Sequence, residues 1–296
     1  MRIIGNVVSI NSQDTMILND KGGIKSNSPN NVLLSFKADD QLSIYLKHNE
    51  FSQEHELTKD IRIGNTFFKK GELPSNFDSV VKVYFESVLG VAFSNQAMLD
   101  GMETFFSERS YNPVMEYMER AASNWDGRKR INQMLQVYLG AEDIDLVSKI
   151  AEMWLVGAVA KVYDPYAKFD YVLDLVGGQG VGKTSLLQKL GGEWYTDAVT
   201  DFANKDNYDI MLKALIVNDD EMVASNRMSF AETKAFISKT SLRFRKPYMK
   251  RTEEFAKNFV LARTTNQKEY LKDKTGERRF LSVMADTSNH FIIIYN

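Results

Sequence analysis

From Asp78 onward apolar residues recur at spacings of three and four, and Val81, Tyr84, Phe85, Val88 and Leu89 fall on one helical face. Ile131, Met134, Leu135, Tyr138 and Leu139 repeat the pattern and stop at Gly140, a C-cap candidate. A third stripe, Val147, Ile150, Ala151, Trp154 and Leu155, ends before Asp164-Pro165. These stripes predict a helical subdomain over residues 78–164 whose apolar faces are core. Upstream, residues 1–77 form a mixed region. Its first thirty residues end in the turn formers GGIKSNSPNN, a short strand pair or a poorly ordered leader, and short alternating runs such as QLSIYL and IRIGNTFF follow. After Pro165 short apolar runs alternate with amphipathic stretches. YVLDLV, ALIVN and NFVLARTT predict buried strands of a parallel sheet with crossover helices, an α/β class.

Composition narrows the class. With 44% apolar residues, 296 residues can bury a sizeable core. No apolar run approaches the roughly 18 residues of a membrane span, and MRIIGNVVSI is no secretory signal, so the expected setting is the cytoplasm, without a membrane partner. With no cysteine and three histidines, disulfides, thiol nucleophiles and cysteine zinc sites are excluded. The net charge of −2 argues against coating nucleic acid by bulk charge, although a local basic stripe still can bind phosphates.

Chemistry concentrates after residue 171. Gly177-Gly178-Gln179-Gly180-Val181-Gly182-Lys183-Thr184 fits G-x-x-x-x-G-K-[ST] between an apolar strand and the helical SLLQKL, beginning at Ser185. Glycines there let backbone N–H groups turn around phosphate oxygens, Lys183 reaches the β- and γ-phosphates, and the Thr184 hydroxyl binds Mg²⁺. IVNDDEM runs a strand into three acids: Asp220 is assigned to the metal and Glu221 to the attacking water, with Asp219 and Asp220 as the other register. Asn266 follows the NFVLARTT strand, where a carboxamide can hold water or γ-phosphate. Arg278 and Arg279 precede a further strand and either can serve as an arginine finger for a neighbouring subunit. Between these elements Leu242 and Phe244 alternate with Arg243 and Arg245, KPYMKRT turns, and EEFAKNFVLARTTN returns as a strand. This alternation predicts a hairpin with a basic face that carries Arg243, Arg245, Lys246, Lys250 and Arg251, with Tyr248 in the turn; charge alone favours a solvated basic edge.

The order of these elements resembles that of the superfamily 3 helicases of the AAA+ class. More closely, GGQGVGKT, NDDEM, AFISK, RKPYMKR, ARTTN, EYLKDKTGERRF and NPVMEYMERAASNWDGRKR are similar to the virulence-associated protein E family of phages and pathogenicity islands, over about residues 110–285. The resemblance implies an AAA+-type P-loop core over residues 165–285. It also implies an ATP- and Mg²⁺-dependent motor on single-stranded or forked DNA, a hexameric ring, and replication of a mobile element alongside other replication proteins. By the resemblance the hairpin projects into the ring channel with its bases towards DNA phosphates and Tyr248 towards a base, inside a bacterial host cell. No primase carboxylate pair aligns in the first 110 residues, so no primer synthesis is expected. The tail, residues 286–296, reads HFIIIYN at its end where similar proteins continue, a departure that points to a truncated product. Two other readings stay open: a P-loop kinase, for which no acceptor site is visible, and a nucleotide-binding interaction protein without processive unwinding.

Overall fold

A computed structural model of the chain describes residues 2–4, 7–11, 14–246, 251–267 and 277–286. It divides into two compact units, Met1–Pro113 and Val114–Asn296. The division crosses the predicted helical stretch 78–164, leaving helices Phe77–Leu89 and Asn95–Ser107 in the first unit and the later ones in the second.

In the first unit, helices Pro29–Ala38 and Asn95–Ser107 are capped by Ser28 and Ser94, whose side chains accept from Asn31 N and Ala97 N. A four-stranded sheet runs Gly71–Glu72, Glu54–Leu57, Leu46–Asn49, Ser110–Tyr111. Phe36, Phe77, Phe85, Phe93, Phe105 and Phe106 fill the core. Of the predicted stripe, Val81 and Phe85 are buried, but Val88 is 48% exposed. In the last turn before the left-handed Gly90 it lines a surface cleft of about 340 Å³ with Leu89, Tyr84 and Asp39 instead of joining the core. Tyr84 donates to Asp39 Oδ2 at 2.7 Å, and burial together with that carboxylate pushes its phenol up to about 12. The opening segments Arg2–Ile4, Val7–Asn11 and Asp14–Thr15 form a three-stranded antiparallel sheet.

The second unit is mixed α/β. In chain order its strands are β1 (Val172–Val176), β2 (Tyr195–Thr196), β3 (Ile216–Asp219), β4 (Ser241–Phe244), β5 (Glu253–Ala256), β6 (Val260–Thr265) and β7 (Phe280–Met284). Its helices are α1 (Pro113–Ser123), α2 (Met134–Leu139), α3 (Asp145–Tyr163), α4 (Lys183–Gly191), α5 (Asp206–Leu212) and α6 (Phe230–Ile237). Five strands pair in parallel in the order β2-β3-β6-β1-β7. Every residue of β1, β3 and β6 is buried, as expected of a sheet covered on both faces, and the buried set includes the polar Asp174, Asn218, Asp219 and Arg263. Helix α3 lies against the sheet through Trp154, whose indole N–H donates to Leu261 O at 2.9 Å. Helix α2 ends at Gly140 in the left-handed conformation, where the sequence predicts a cap.

One predicted strand is two. EEFAKNFVLARTTN splits into β5, paired antiparallel with β4, and β6 in the central sheet. The break between them is pinned from inside: Lys257 donates to Ile237 O at 2.8 Å and Asn258 Nδ2 to Leu212 O at 3.0 Å. Lys257 is 2% exposed, and burial, aided by the neighbouring positive charge of Lys161, pulls its ammonium down to about 7. Unfolded, the group titrates near about 10.4. Between these values the unfolded chain binds the extra proton, so stability rises with pH across that window, by at most about 1.4 kcal/mol per pH unit. In Lys257→Met this contribution is expected to vanish. Urea midpoints taken from about pH 7 to 9 check it, and parallel wild-type and variant curves would refute it.

Candidate functional site

The apolar strand β1 delivers the glycine-rich segment, Gly177–Gly182, to the N-terminus of α4. Gly182 sits at φ 93 as the N-cap of α4, a left-handed conformation in which a side chain is strained. At Gly177 an added Cβ would lie 2.3 Å from Ala285 O, so only glycine lets the loop pass the end of β7. Gly178, Gln179 and Gly180 are exposed and Val181 is buried under the loop. The resulting concavity, with backbone N–H groups at a helix start, is suited to an anion. Lys183 is buried and its ammonium donates to Gly177 O at 2.6 Å, Gly178 O at 2.8 Å and Asn266 Oδ1 at 3.0 Å. Burial lowers its pKa, while the negative charges of Glu221 and Asp220 work the other way.

At the end of β3 the three acids part company. Asp219 is fully buried and faces away from the loop, accepting from Ala224 N at 2.8 Å, Ser225 N at 2.9 Å and Ser225 Oγ at 2.5 Å. Burial raises its pKa, with the hydrogen bonds and Arg263 opposing the rise. Asp220 turns to the loop: its Oδ1 accepts from Thr184 Oγ1 at 2.9 Å and Thr264 Oγ1 at 2.7 Å. Glu221, at φ 51, is exposed and its Oε1 accepts from Asn266 Nδ2 at 3.1 Å. Two successive non-glycine residues in this conformation, Glu221 and Met222, store strain where the acids are aimed. The Asn266 amide orientation follows from its partners: an ammonium can only donate to Oδ1, and a carboxylate can only accept from Nδ2.

Sheet order explains the convergence. Strand β6 lies between β1 and β3, so its tip brings Asn266 between the loop and the acidic turn. Beneath them Asp174 and Arg263 are direct register partners in β1 and β6 and form a bidentate ion pair, Nε to Oδ1 2.7 Å and Nη2 to Oδ2 2.5 Å. The guanidinium also lies over the Phe280 ring and reaches Ser225 Oγ at 3.4 Å, connecting the pair to the residue that holds Asp219. Sequence reasoning missed Asp174, Arg263 and Thr264. For Asp174 and Arg263 the available signal was a charge inside a predicted buried strand; Thr264 carried none.

A family model for the virulence-associated protein E-like domain matches residues 118–293. The chain belongs to that family. No curated protein matches it. Among solved structures, the A form apo structure of the NrS-1 C terminal region is similar at 17% identity, with 83% of this chain and 59% of that one covered and a TM-score of 0.47. The apo structure of NrS-1 C terminal region (305–718) follows at 15% identity, 81% and 58% coverage and a TM-score of 0.41. The chain thus spans about three fifths of the length of those structures.

The virulence-associated protein E-like domain holds the whole cluster of loop, acidic turn and Asn266. Its β4-β5 hairpin has the predicted alternation: Leu242 and Phe244 are buried, and Arg243 and Arg245 are exposed. Arg251 is exposed as well, whereas Tyr248 and Lys250 lie outside the described residues. Lys246 departs from expectation. It is 6% exposed, 3.4 Å from Asp209 and over the Phe255 ring, so it serves the interior of the domain and not the basic face. The arginine pair also separates. Arg279 donates to Ser238 Oγ at 3.1 Å and lies 3.7 Å from Asp170, while Arg278 is exposed. No described helix is long and apolar enough to cross a membrane.

Proposed function

We propose that this chain is a Mg²⁺-dependent ATPase of the AAA+ P-loop type, acting as a ring-forming motor on DNA in the replication of a phage or other mobile element. The observation that carries the reading is the hydrogen-bonded series Lys183–Asn266–Glu221 beside the Thr184–Asp220 contact, all at the C-terminal ends of β1, β6 and β3 and the start of α4. The glycine loop takes the ATP phosphates, and Lys183 exchanges its carbonyl partners for the β- and γ-oxygens. Thr184 and Asp220 fit Mg²⁺ as two hard oxygen donors on adjoining elements, leaving the rest of the shell to phosphate and water. The ion, when bound, neutralises charge developing on the phosphates. Glu221 accepts the proton of the attacking water and Asn266 holds its carboxylate in place.

Ring assembly gives Arg278 its role. With Arg279 held inside its own subunit, the exposed Arg278 is the finger offered to a neighbouring copy's nucleotide. Arg243, Arg245 and Arg251 line the hairpin as phosphate contacts for single-stranded DNA.

Steady-state ATP hydrolysis with and without single-stranded DNA, with Lys183→Ala as the blank, tests the proposal. Hydrolysis is expected to vanish in Lys183→Ala and to rise several-fold with DNA in the wild type. In the triple variant Arg243→Ala/Arg245→Ala/Arg251→Ala the basal rate is expected to persist without stimulation. Hydrolysis indifferent to DNA would favour the interaction protein. Wild-type activity in Lys183→Ala would overturn the ATPase.

A further inference from the structure

A cleft of about 680 Å³ opens along one side of the glycine loop, within the range of about 300–1,000 Å³ usual for small-molecule sites. One wall is the loop itself, from Gly180 to Gly182, and the length of α4 with Ser185, Leu186 and Leu190. The other wall is α2, through Met134 and Tyr138. Tyr138 is the telling residue. It lies on the apolar stripe that predicts core, yet it is 44% exposed and faces this cleft, while its stripe neighbours Leu135 and Leu139 are fully buried.

The location determines the occupant. On the proposed nucleotide reading, on which this inference rests, the triphosphate is fixed at the loop and the start of α4. The nucleoside must then leave on a side that offers room, and the cleft adjoins Gly180, Gly182 and Ser185 directly. Its chemistry determines the selectivity. Polar side-chain groups on the lining are the Ser185 hydroxyl, the Lys189 ammonium and the Tyr138 phenol; among the described lining residues there is no carboxylate or carboxamide. Strong discrimination between bases needs a site built to hydrogen-bond one base edge, so that the wrong base leaves buried groups unpaired. A flat ring held by an aromatic face, a thioether and leucine side chains is instead held by contact area, which adenine and guanine share.

We propose that the α2–α4 cleft is the nucleobase site and that it accepts adenine and guanine nearly alike, so that the enzyme uses ATP and GTP. Pyrimidine nucleotides, with less ring surface, bind several-fold more weakly.

The test uses the full chain with Mg²⁺ and compares dissociation constants for ATP, GTP and inorganic tripolyphosphate, the last carrying the phosphates without a base. ATP and GTP are expected within about threefold of each other, and both about tenfold or more tighter than tripolyphosphate, a gain of about 1.4 kcal/mol. Tyr138→Ala is expected to weaken both nucleotides about tenfold and leave tripolyphosphate unchanged, while Tyr138→Phe retains nucleotide affinity. Unchanged tripolyphosphate binding also reports that the variant is folded. Preference for ATP over GTP by more than about thirtyfold, or nucleotide affinity indifferent to Tyr138→Ala, overturns the cleft while leaving the phosphate site standing. Absence of binding by all three ligands overturns the nucleotide reading and this inference together.

Discussion

If the chain is the ATPase proposed, Glu221→Gln is expected to lower ATP turnover by about 10²–10³-fold while leaving nucleotide affinity within about threefold of wild type. The substitution is close to isosteric, so the turn at φ 51 and the contact to Asn266 persist, and what disappears is the capacity to accept a proton. The loss should therefore fall on kcat. A general base contributes typically about 10²–10⁴ to rate, and the positioned phosphates and Lys183 remain. Single-turnover hydrolysis beside equilibrium binding separates the two terms. If the variant turns over at the wild-type rate, Glu221 is not the proton acceptor and the register moves to Asp219 and Asp220. If affinity collapses instead, the Glu221–Asn266–Lys183 series holds the nucleotide and not the water.

Much of this arrangement was legible because it rests on local chemistry. On the proposed reading, the glycine loop, its lysine and its threonine are dictated by how closely backbone must approach phosphate, which leaves a spacing readable without structure. The apolar runs of β1, β3 and β6 were readable for a similar reason, since strands buried on both faces have little choice of residue. Long-range facts were not readable. That β6 inserts between β1 and β3, making Asn266 a bridge between Lys183 and Glu221, depends on sheet order. Lys246 looks like one more surface base in RKPYMKR until the fold brings Asp209 to it. Tyr138 fails in the opposite sense: periodicity assigns it to the core, and only the placement of α2 beside α4 leaves it facing a cleft. The split of EEFAKNFVLARTTN into two strands turns on Lys257 and Asn258 reaching carbonyls that are distant in sequence.

The adjacent acids Asp219 and Asp220 should fail in different ways, and that contrast is the sharpest test of which carboxylate serves the proposed metal. Asp219→Ala strips acceptors from two buried backbone N–H groups and the Ser225 hydroxyl, and removes a negative charge close to Arg263. Each buried donor left unpaired costs roughly 1–3 kcal/mol, so a loss of about 3 kcal/mol of stability is expected. Asp220→Ala releases the hydroxyls of Thr184 and Thr264 at a half-exposed position, where water can replace the lost acceptor. Its melting temperature should stay within a few degrees of wild type, whereas Mg²⁺-dependent nucleotide binding and turnover fall by about 10²-fold or more, because a charged ligand of the cation is gone. Thermal unfolding measured with and without Mg²⁺-nucleotide separates the two: ligand stabilisation should survive in whatever Asp219→Ala remains folded and disappear in Asp220→Ala. The reverse pattern, a stable but inactive Asp219→Ala beside an unfolded Asp220→Ala, would move the metal ligand one residue back. Geometry favours the assignment given, since a carboxylate already holding the turn that follows β3 cannot also reach across to Thr184.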